Sequence, residues 1–254
     1  MSYFENTVSY NQILFRYAEG KSIRKGREIH PYNELLFYYD GGGEFLSEKY
    51  RENAAPETLF VIPKEQYHMF SIANQDRYKR LVISFYDMPP FCENGIKLIR
   101  DTSSDIRRIA ARMKDVLECK GENAGLFLYG LFLQLLCELC EIKKEPPAAR
   151  KGNQFVSRCL LYIDNNYRKE ISAEKMARHL NVSVSALFHD FKKELGVSPH
   201  KYITEKRLVY AHSLIAAGEK PTKIYTECGY SDYSVFYKAY LKMFGCPPSA
   251  ADVT

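Results

Sequence analysis

The spacing of apolar and polar positions separates the chain into a β-rich first part and a helical remainder. Up to about residue 90, short runs rich in Val, Ile, Phe and Tyr are separated by turn-forming residues, as at 40–43 and 74–76. These runs occupy residues 7–17, 34–39, 44–50, 58–62, 68–72 and 80–86. Because no helical pattern lies between them, they predict a small all-β domain of the barrel or jelly-roll type.

Residues 103–142 follow a helical period twice. Ile106 and Met113 share one face of the first predicted helix, which a polar stretch at 120–123 ends. The second predicted helix begins near Ala124 and is apolar nearly all round. The pattern predicts a helical hairpin that packs on the β-domain and offers apolar surface to a partner. The alternative is an intramolecular pair with no exposed apolar face.

Two features of the second predicted helix bear on function. Its most apolar stretch, 126–137, is shorter than the roughly 20 residues of a membrane span, so we expect a buried helix and no membrane partner. Cys137 and Cys140 lie on neighbouring turns of this helix. Because no second cysteine pair accompanies them, we interpret both as core residues and not as a redox or metal pair.

A linker and then a repeated helical unit follow. Residues 143–153 combine prolines, a glycine and basic residues, which predicts the linker. Beyond it, Ser172 and Ser183 precede two helical patterns as N-caps would, and Gly196 follows the second as a C′ glycine would. Helix, short turn and helix form the unit that places a recognition helix in a DNA major groove. The same pattern returns at 223–245, so we predict two such units on one connecting helix.

The residues from 154 onward resemble the AraC family of bacterial transcriptional regulators. The matching positions are caps, helix-ending glycines and buried apolar residues, among them Val182, Ser183, Leu187, Phe191, Gly196, Ser198, Pro199, Ile203, Arg207, Leu208, Ala211, Leu214, Ile224, Gly229, Tyr230, Asp232, Ser234, Phe236, Gly245 and Pro248. Departures include His189 where arginine is usual and Tyr225 where alanine is usual. The resemblance implies an all-α double helix-turn-helix domain over 154–254 that binds double-stranded promoter DNA sequence-specifically.

The first part of the chain resembles a cupin, because His30, Glu34 and His68 stand at cupin-like spacing. The N-terminal ligand-binding domain of many AraC-type regulators is similar. The two resemblances together imply a two-domain α+β protein, with a cupin-like β-barrel and a helical hairpin in residues 1–142. In the family the hairpin region often dimerises the protein, so we expect a homodimer through 103–142.

We expect the barrel to bind a small-molecule effector such as a sugar, because aromatic faces with a few polar groups suit such ligands. The candidates for the pocket are Arg16, Arg24, His30, Glu34, Tyr39 and His68. The alternative is that the aromatic residues are simply core. We expect no cofactor.

A competing function is a cupin metalloprotein, either an enzyme or a metal sensor. The resemblance places the ligands of such a site at Glu28, His30, Glu34 and His68. These are acceptable ligand types for zinc, iron or manganese, although Glu28 stands where a histidine is usual.

The residues expected to contact DNA follow from family position and from the outward faces of the recognition helices. Those expected at base edges are Ser185, Phe188, His189, Tyr233, Ser234, Tyr237 and Lys238. Those expected at phosphates are Lys192, Lys193, Lys201, Arg207, Lys223 and Lys242. For each of them the alternative is a solvated surface side chain.

Charge and composition agree with this interpretation without establishing it. The net charge is +5, to which residues 150–254 contribute +6 and residues 1–149 contribute −1, so the basic excess lies with the helical units. The seven scattered cysteines and the lack of a secretory signal predict a cytoplasmic protein. No Ser/His/Asp constellation, Walker loop or dinucleotide fingerprint occurs, so we expect no enzyme. A basic helical domain that binds a protein instead of DNA is a third alternative.

Overall fold

The structure is a computed structural model that describes residues 4–20, 28–47, 51–72, 77–86, 95–100, 102–142 and 154–250. Its helices and strands fall into two compact units. The first unit contains the strands and two helices, and the second contains the remaining helices together with the short segment at residues 28–31. The predicted linker and the predicted pocket residue Arg24 lie outside the described residues.

The first unit is built from two antiparallel sheets. Its strands are β1 (Phe4–Tyr10), β2 (Ile13–Glu19), β3 (Asn33–Asp40), β4 (Gly43–Ser47), β5 (Arg51–Asn53), β6 (Thr58–Ile62), β7 (His68–Ile72), β8 (Lys79–Phe85) and β9 (Lys97–Ile99). The large sheet has the order β1-β2-β8-β3-β6-β9, and the small sheet has the order β5-β4-β7. The expected all-β domain is confirmed, but within the described residues the strands form two separate sheets and no closed barrel.

The run 7–17 is a hairpin and not the single strand that its composition predicted. Asn11 and Gln12 have φ of 48° and 61°, and Tyr10 pairs with Ile13 across them. Two successive residues at positive φ form the tight turn whose twist matches that of the flanking strands. Apolar residues on both sides of the turn made the two strands look continuous in the sequence.

The large sheet is covered on both faces, because successive side chains of a strand point to opposite sides. Phe15, Leu35 and Leu81 pack on one face against the two helices of this unit. Leu36 and Val82 point the other way, into a second core that includes aromatic residues of the small sheet. Burial on both faces explains why β3, β6 and β8 show no alternation of apolar and polar residues.

The predicted helical hairpin is present as α1 (Ser104–Cys119) and α2 (Ala124–Glu141). The Ser103 side chain caps α1 by accepting a hydrogen bond of 3.2 Å from the Ile106 amide. Leu128 and Leu135 of α2 lie in the same core as Met113 of α1. The polar break between the helices allows them to return as neighbours against the sheet.

The face of α2 that points away from this core is apolar and exposed. Leu126, Phe127 and Leu133 are 57%, 61% and 45% exposed. Cys137 and Cys140 are also exposed, so the interpretation of both as core residues was wrong. Because α2 is apolar nearly all round, its sequence could not show which face the sheet covers.

With 18 residues, α2 is longer than its most apolar stretch suggested. Within the described residues it is the helix whose length and composition would allow it to cross a membrane. This is weak evidence for a span, because core helices pass the same test, and 28% of α2 is buried inside the protein.

The second unit contains the remaining helices. They are α3 (Gln154–Asn166), α4 (Ala173–Leu180), α5 (Val184–Leu195), α6 (Pro199–Ala216), α7 (Pro221–Ile224) and α8 (Tyr233–Phe244), followed by a 3-10 turn at Pro248–Ala250. The predicted helical C-terminal fold is therefore confirmed. Leu187 and Phe191 of α5, and Phe236 of α8, are completely buried, which orients the two recognition helices.

Candidate nucleic-acid interface

The first helix-turn-helix unit comprises α4 and α5, and each helix is capped by a serine. The Ser172 hydroxyl accepts from the Lys175 amide at 3.2 Å, and the Ser183 hydroxyl accepts from the Ala186 amide at 3.1 Å. Asn181, with φ of 57°, makes the turn between them. The caps satisfy amides that the first turn of a helix leaves without a partner, and they define where α5 begins.

The outer face of α5 exposes the three residues that the sequence placed at base edges. Ser185, Phe188 and His189 are exposed, and Phe188 is 37% exposed although it is an apolar ring. His189 Nδ1 lies 2.9 Å from the Asp190 carboxylate, which orients the imidazole ring. An exposed aromatic residue beside a hydroxyl and an imidazole can contact a thymine methyl group and neighbouring hydrogen-bonding groups. Their roles at bases remain predictions.

The second helix-turn-helix unit repeats this construction with α7 and α8. The Asp232 carboxylate accepts from the Val235 amide at 2.9 Å and caps α8, and Gly245 ends the helix with φ of 76°. Ser234 and Lys238 on the outer face are exposed. The sequence therefore placed these two residues on a surface that DNA can reach.

The two predicted tyrosine readers of α8 are only half exposed. The ring of Tyr233 lies 5.6 Å from that of Tyr225 and 5.8 Å from that of Phe236. It therefore packs against the hydrophobic core of the second helix-turn-helix unit. Tyr237 is also half-buried. Val235 was not among the predicted readers, yet it is 58% exposed. Val235 could have been predicted as a base contact from the sequence, because it is an apolar residue on the outer face of a recognition helix.

Arg207 has a different environment from the one that its prediction as a phosphate contact requires. The residue is half-buried on α6, and its Nε and Nη2 atoms donate to the carbonyls of Tyr167 and Lys169 at 2.6 Å and 2.8 Å. The guanidinium also lies 5.7 Å from the centre of the Tyr230 ring. Burial lowers the pKa of Arg207. This geometry gives Arg207 a structural role, because its donors are already directed at the end of α3.

The other residues predicted to contact phosphates are exposed lysines. They are Lys192, Lys193, Lys201, Lys223 and Lys242. Lys201 lies 3.5 Å from Glu205, which is largely buried and whose pKa burial raises to about 7. Lys206 behaves differently, because it is buried and paired with Asp164. Exposed cations around both recognition helices are what phosphate binding requires.

Three predicted pocket residues come together. His30, Glu34 and His68 are buried, and each offers a ligand atom within 4.8 Å of the others. The Glu34 carboxylate lies 4.0 Å from His68 Nε2, and His68 Nδ1 lies 3.1 Å from the Gln66 carbonyl oxygen. Two imidazoles and a carboxylate are ligands that zinc and other first-row metals accept. Glu28 is not part of this group among the described residues.

Tyr39 does not share a pocket with these residues. Its hydroxyl donates to the Ala110 carbonyl at 2.9 Å, and its ring lies 4.8 Å from that of Phe37 on the helix-covered face of the sheet. Burial raises its pKa. Tyr39 and Glu34 are an odd number of residues apart on β3, so strand alternation places them on opposite faces. The inclusion of Tyr39 in the pocket was therefore wrong.

Comparison with known proteins supports the interpretation of the second unit. Residues 176–252 match the family described as "Helix-turn-helix domain". The chain is 33% identical to the uncharacterized HTH-type transcriptional regulator YdiP of Escherichia coli (strain K12), over 92% of this chain and 83% of that protein. It is 24% identical to the lactose operon transcription activator of Staphylococcus xylosus, over 93% of this chain and 84% of that protein.

A similarity is also found among solved structures. A probable AraC family transcriptional regulator from Rhodopseudomonas palustris CGA009 is 29% identical to this chain, with a TM-score of 0.37. The alignment covers 39% of this chain and 94% of that chain. The similarity to YdiP extends over both units of the chain. The chain therefore belongs to the family of helix-turn-helix transcriptional regulators, of the AraC type that its sequence resembles.

Proposed function

We propose that this regulator reads its operator with the outer faces of α5 and α8, which enter successive major grooves roughly 34 Å apart. The observation that carries the proposal is the repeated geometry of these two helices. Each begins at a side-chain cap, buries its inner aromatic and aliphatic residues, and exposes its N-terminal outer face beside lysines. The role is regulatory binding in the cytoplasm and not catalysis.

The energy of binding then has two separate sources. Contacts of exposed lysines with phosphates release counterions, so they supply affinity that falls steeply with salt and carries no sequence information. Contacts of Ser185, Phe188 and His189 with base edges supply selectivity, at about 1–3 kcal/mol for a good contact. Substitution of the lysines should therefore lower affinity for any duplex, whereas substitution of the base-contacting residues should lower selectivity.

Fluorescence anisotropy on a duplex from the promoter region upstream of the gene tests this proposal. Wild-type protein should bind this duplex more tightly than a scrambled duplex, at two salt concentrations. The double variant Phe188→Ala/His189→Ala should lose that preference by a factor of ten or more, while its weaker binding keeps its salt dependence.

Leu161→Ala provides the control for this experiment. Leu161 lies on α3, which belongs to the same compact unit as α5 and α8 but is not a recognition helix. Its apolar side chain is 62% exposed. Its selectivity should equal that of the wild type. Undiminished selectivity in the double variant would contradict the assignment of these base readers.

We also propose that the first unit binds a small-molecule effector and that the protein is a homodimer. The exposed apolar side of α2 supports the dimer, because Leu126, Phe127 and Leu133 leave a large apolar surface in water. Gly130 lies on the same side, and no atom is within 4 Å of where its Cβ would be, so a second helix can approach closely. Effector binding would then change promoter occupancy.

A second candidate function is metal sensing, which the cluster of His30, Glu34 and His68 favours. Mass spectrometry of metal content in protein purified without chelators tests it. Wild type and His200→Ala, which changes an exposed histidine of α6, should contain one first-row metal per chain. His68→Ala should contain none. Metal-free wild-type protein that takes up no added Zn²⁺ would exclude this function.

A further inference from the structure

Buried polar atoms without hydrogen-bond partners occur together on one face of the large sheet. Among the described residues, they are Arg16 Nε, Arg80 Nη1 and Ser84 Oγ. Arg80 is 8% exposed and Ser84 is 6% exposed, while Arg16 is half-buried. Arginine keeps its charge in proteins, and a buried donor without an acceptor is unfavourable, more so when it belongs to a charged group. A group that supplies oxygen acceptors at this position would therefore stabilise the protein.

The strand register places Arg16 between the other two side chains, which are four residues apart on β8. Arg16 of β2 is directly opposite Val82 of β8, and Ala18 is opposite Arg80. Leu14 is opposite Ser84 in the same ladder. Residues directly opposite each other in an antiparallel pair point to the same face, and diagonal neighbours are about 7–8 Å apart. Arg16 is therefore flanked diagonally by Arg80 on one side and by Ser84 on the other.

The acidic residues of the neighbouring strand segments interact with other groups, and one of them, Glu34, lies directly opposite Ser84 on the same face of the sheet. Glu19 lies on the opposite face of β2, where it pairs with Lys79 at 3.2 Å. Asp40 pairs with Arg77 at 2.8 Å, and Glu34 faces His68 at 4.0 Å.

The edge strand β1 contributes Glu5, which is exposed and accepts a hydrogen bond of 3.4 Å from the Thr7 hydroxyl. Thr7 is also exposed and lies directly opposite Arg16. The site is therefore open toward solvent on the side of β1.

The surroundings of the two arginines are apolar and aromatic. The Arg80 guanidinium carbon lies 4.4 Å from the centre of the Tyr78 ring. Val82, Leu36 and Phe60 belong to the core on this face of the sheet. An anion that binds here contacts apolar side chains as well as guanidinium groups. This combination suits an organic acid better than a small, strongly hydrated inorganic ion.

We propose that the first unit binds a small organic carboxylate, whose carboxylate group accepts hydrogen bonds from Arg16 and Arg80. The planar guanidinium group matches the two oxygens of a carboxylate, and charge-assisted hydrogen bonds of this kind are among the strongest in proteins. The ligand enters from the β1 side, meets Arg16 first, and directs its apolar part along Val82. This inference names the chemical class of the effector and rests on the proposed sensor function of the first unit.

Thermal unfolding of the full-length protein with matched acids and amides tests the proposal. The probes are benzoate and hexanoate, their neutral counterparts benzamide and hexanamide, and inorganic phosphate, all at equal ionic strength. At least one carboxylate should raise the Tm of the wild type by several degrees, while its amide should not. The measurement contains no DNA, so a failure of the DNA-binding proposal would not affect it.

Variants separate ligand binding from general effects of charge. Arg80→Met and Arg16→Met should each abolish the carboxylate-dependent shift in Tm. Without ligand, Arg80→Met should be at least as stable as the wild type, because it removes a buried guanidinium whose Nη1 has no hydrogen-bond acceptor. Arg51→Met removes an exposed arginine from the same unit and should keep the full shift.

Several outcomes would overturn the proposal. They are equal shifts with an acid and its amide, no shift with either carboxylate, and a carboxylate shift that persists in both Arg80→Met and Arg16→Met. A shift with phosphate alone would assign the site to phosphate and not to an organic acid. If Arg80→Met does not fold, Arg16→Met supplies the same comparison at a half-buried position.

Discussion

Gly229 and Arg207 show how one contact between two residues shapes the second helix-turn-helix unit. Gly229 has φ of 81°, and a Cβ atom at this position would lie 2.8 Å from the Arg207 guanidinium. That guanidinium donates to the carbonyls of Tyr167 and Lys169 at the end of α3. Arg207 therefore joins three elements. They are the turn between α7 and α8, the connecting helix α6, and the end of α3. This contact explains why glycine and arginine are needed at these positions.

The substitution Gly229→Ala should lower the free energy of unfolding more than Gly218→Ala does. Gly218 also has positive φ, of 93°, but a Cβ there would have no atom within 4 Å. Both changes cost about 1–2 kcal/mol for the left-handed backbone. Only Gly229→Ala displaces a hydrogen-bonded guanidinium, which costs about 1–3 kcal/mol more. Urea unfolding of the two variants measures the difference, and equal losses would contradict the role of Arg207.

At the scale of elements, the recognition helix α5 contains residues that stabilise the helix and other residues that we propose contact DNA. Ser183 caps the helix, and Ser185 lies in its first turn with its side chain exposed. Ser183→Ala should lower the free energy of unfolding by about 1 kcal/mol, because an amide loses its acceptor. Ser185→Ala should leave stability within about 0.5 kcal/mol of the wild type.

The same pair of variants should give the opposite result in DNA binding. Ser185→Ala should weaken selective binding, because its hydroxyl is available to a base or to a phosphate. Thermal unfolding and anisotropy on the operator duplex measure the two effects. If Ser185→Ala destabilises the protein as much as Ser183→Ala does, the separation of the two roles is incorrect.

At the scale of the whole molecule, the exposed side of α2 determines the expected oligomeric state. Phe127→Glu places a charge in the apolar surface that we propose as the dimer interface, and burial of an unpaired charge is costly. Analytical ultracentrifugation should show a dimer for the wild type and a monomer for Phe127→Glu. Glu122→Lys, an exposed change just before α2, should remain dimeric. A monomeric wild type at micromolar concentration would contradict the proposal.

Local sequence signals predicted the helical unit in detail. Ser172, Ser183 and Asp232 cap helices as expected, and Gly196 and Gly245 end them. Each of these signals acts within a few residues, so it can be seen in the sequence without knowledge of the fold. Exposed lysines beside the recognition helices were equally predictable, because long charged side chains are rarely buried.

Several features of the site depended on contacts between distant segments. Arg207 looks like any basic residue in the sequence, and only the approach of the residue 167–169 carbonyls makes it a structural group. The pair formed by the buried Lys206 and the exposed Asp164 has the same origin. Tyr39 was wrongly placed in the pocket because the strand register, and not composition, determines which face a side chain occupies.

The sequence by itself determined the family, the two helix-turn-helix units and the division of the chain into a β-rich first part and a helical second part. Capping residues, glycines and the helical period encode these features locally. Only the tertiary structure decided that the strands form two sheets, that one side of α2 remains exposed, and that Arg16, Arg80 and Ser84 share a buried face. Those outcomes depend on which strands pair and in what register, and pairing between distant segments leaves no local signal in the chain.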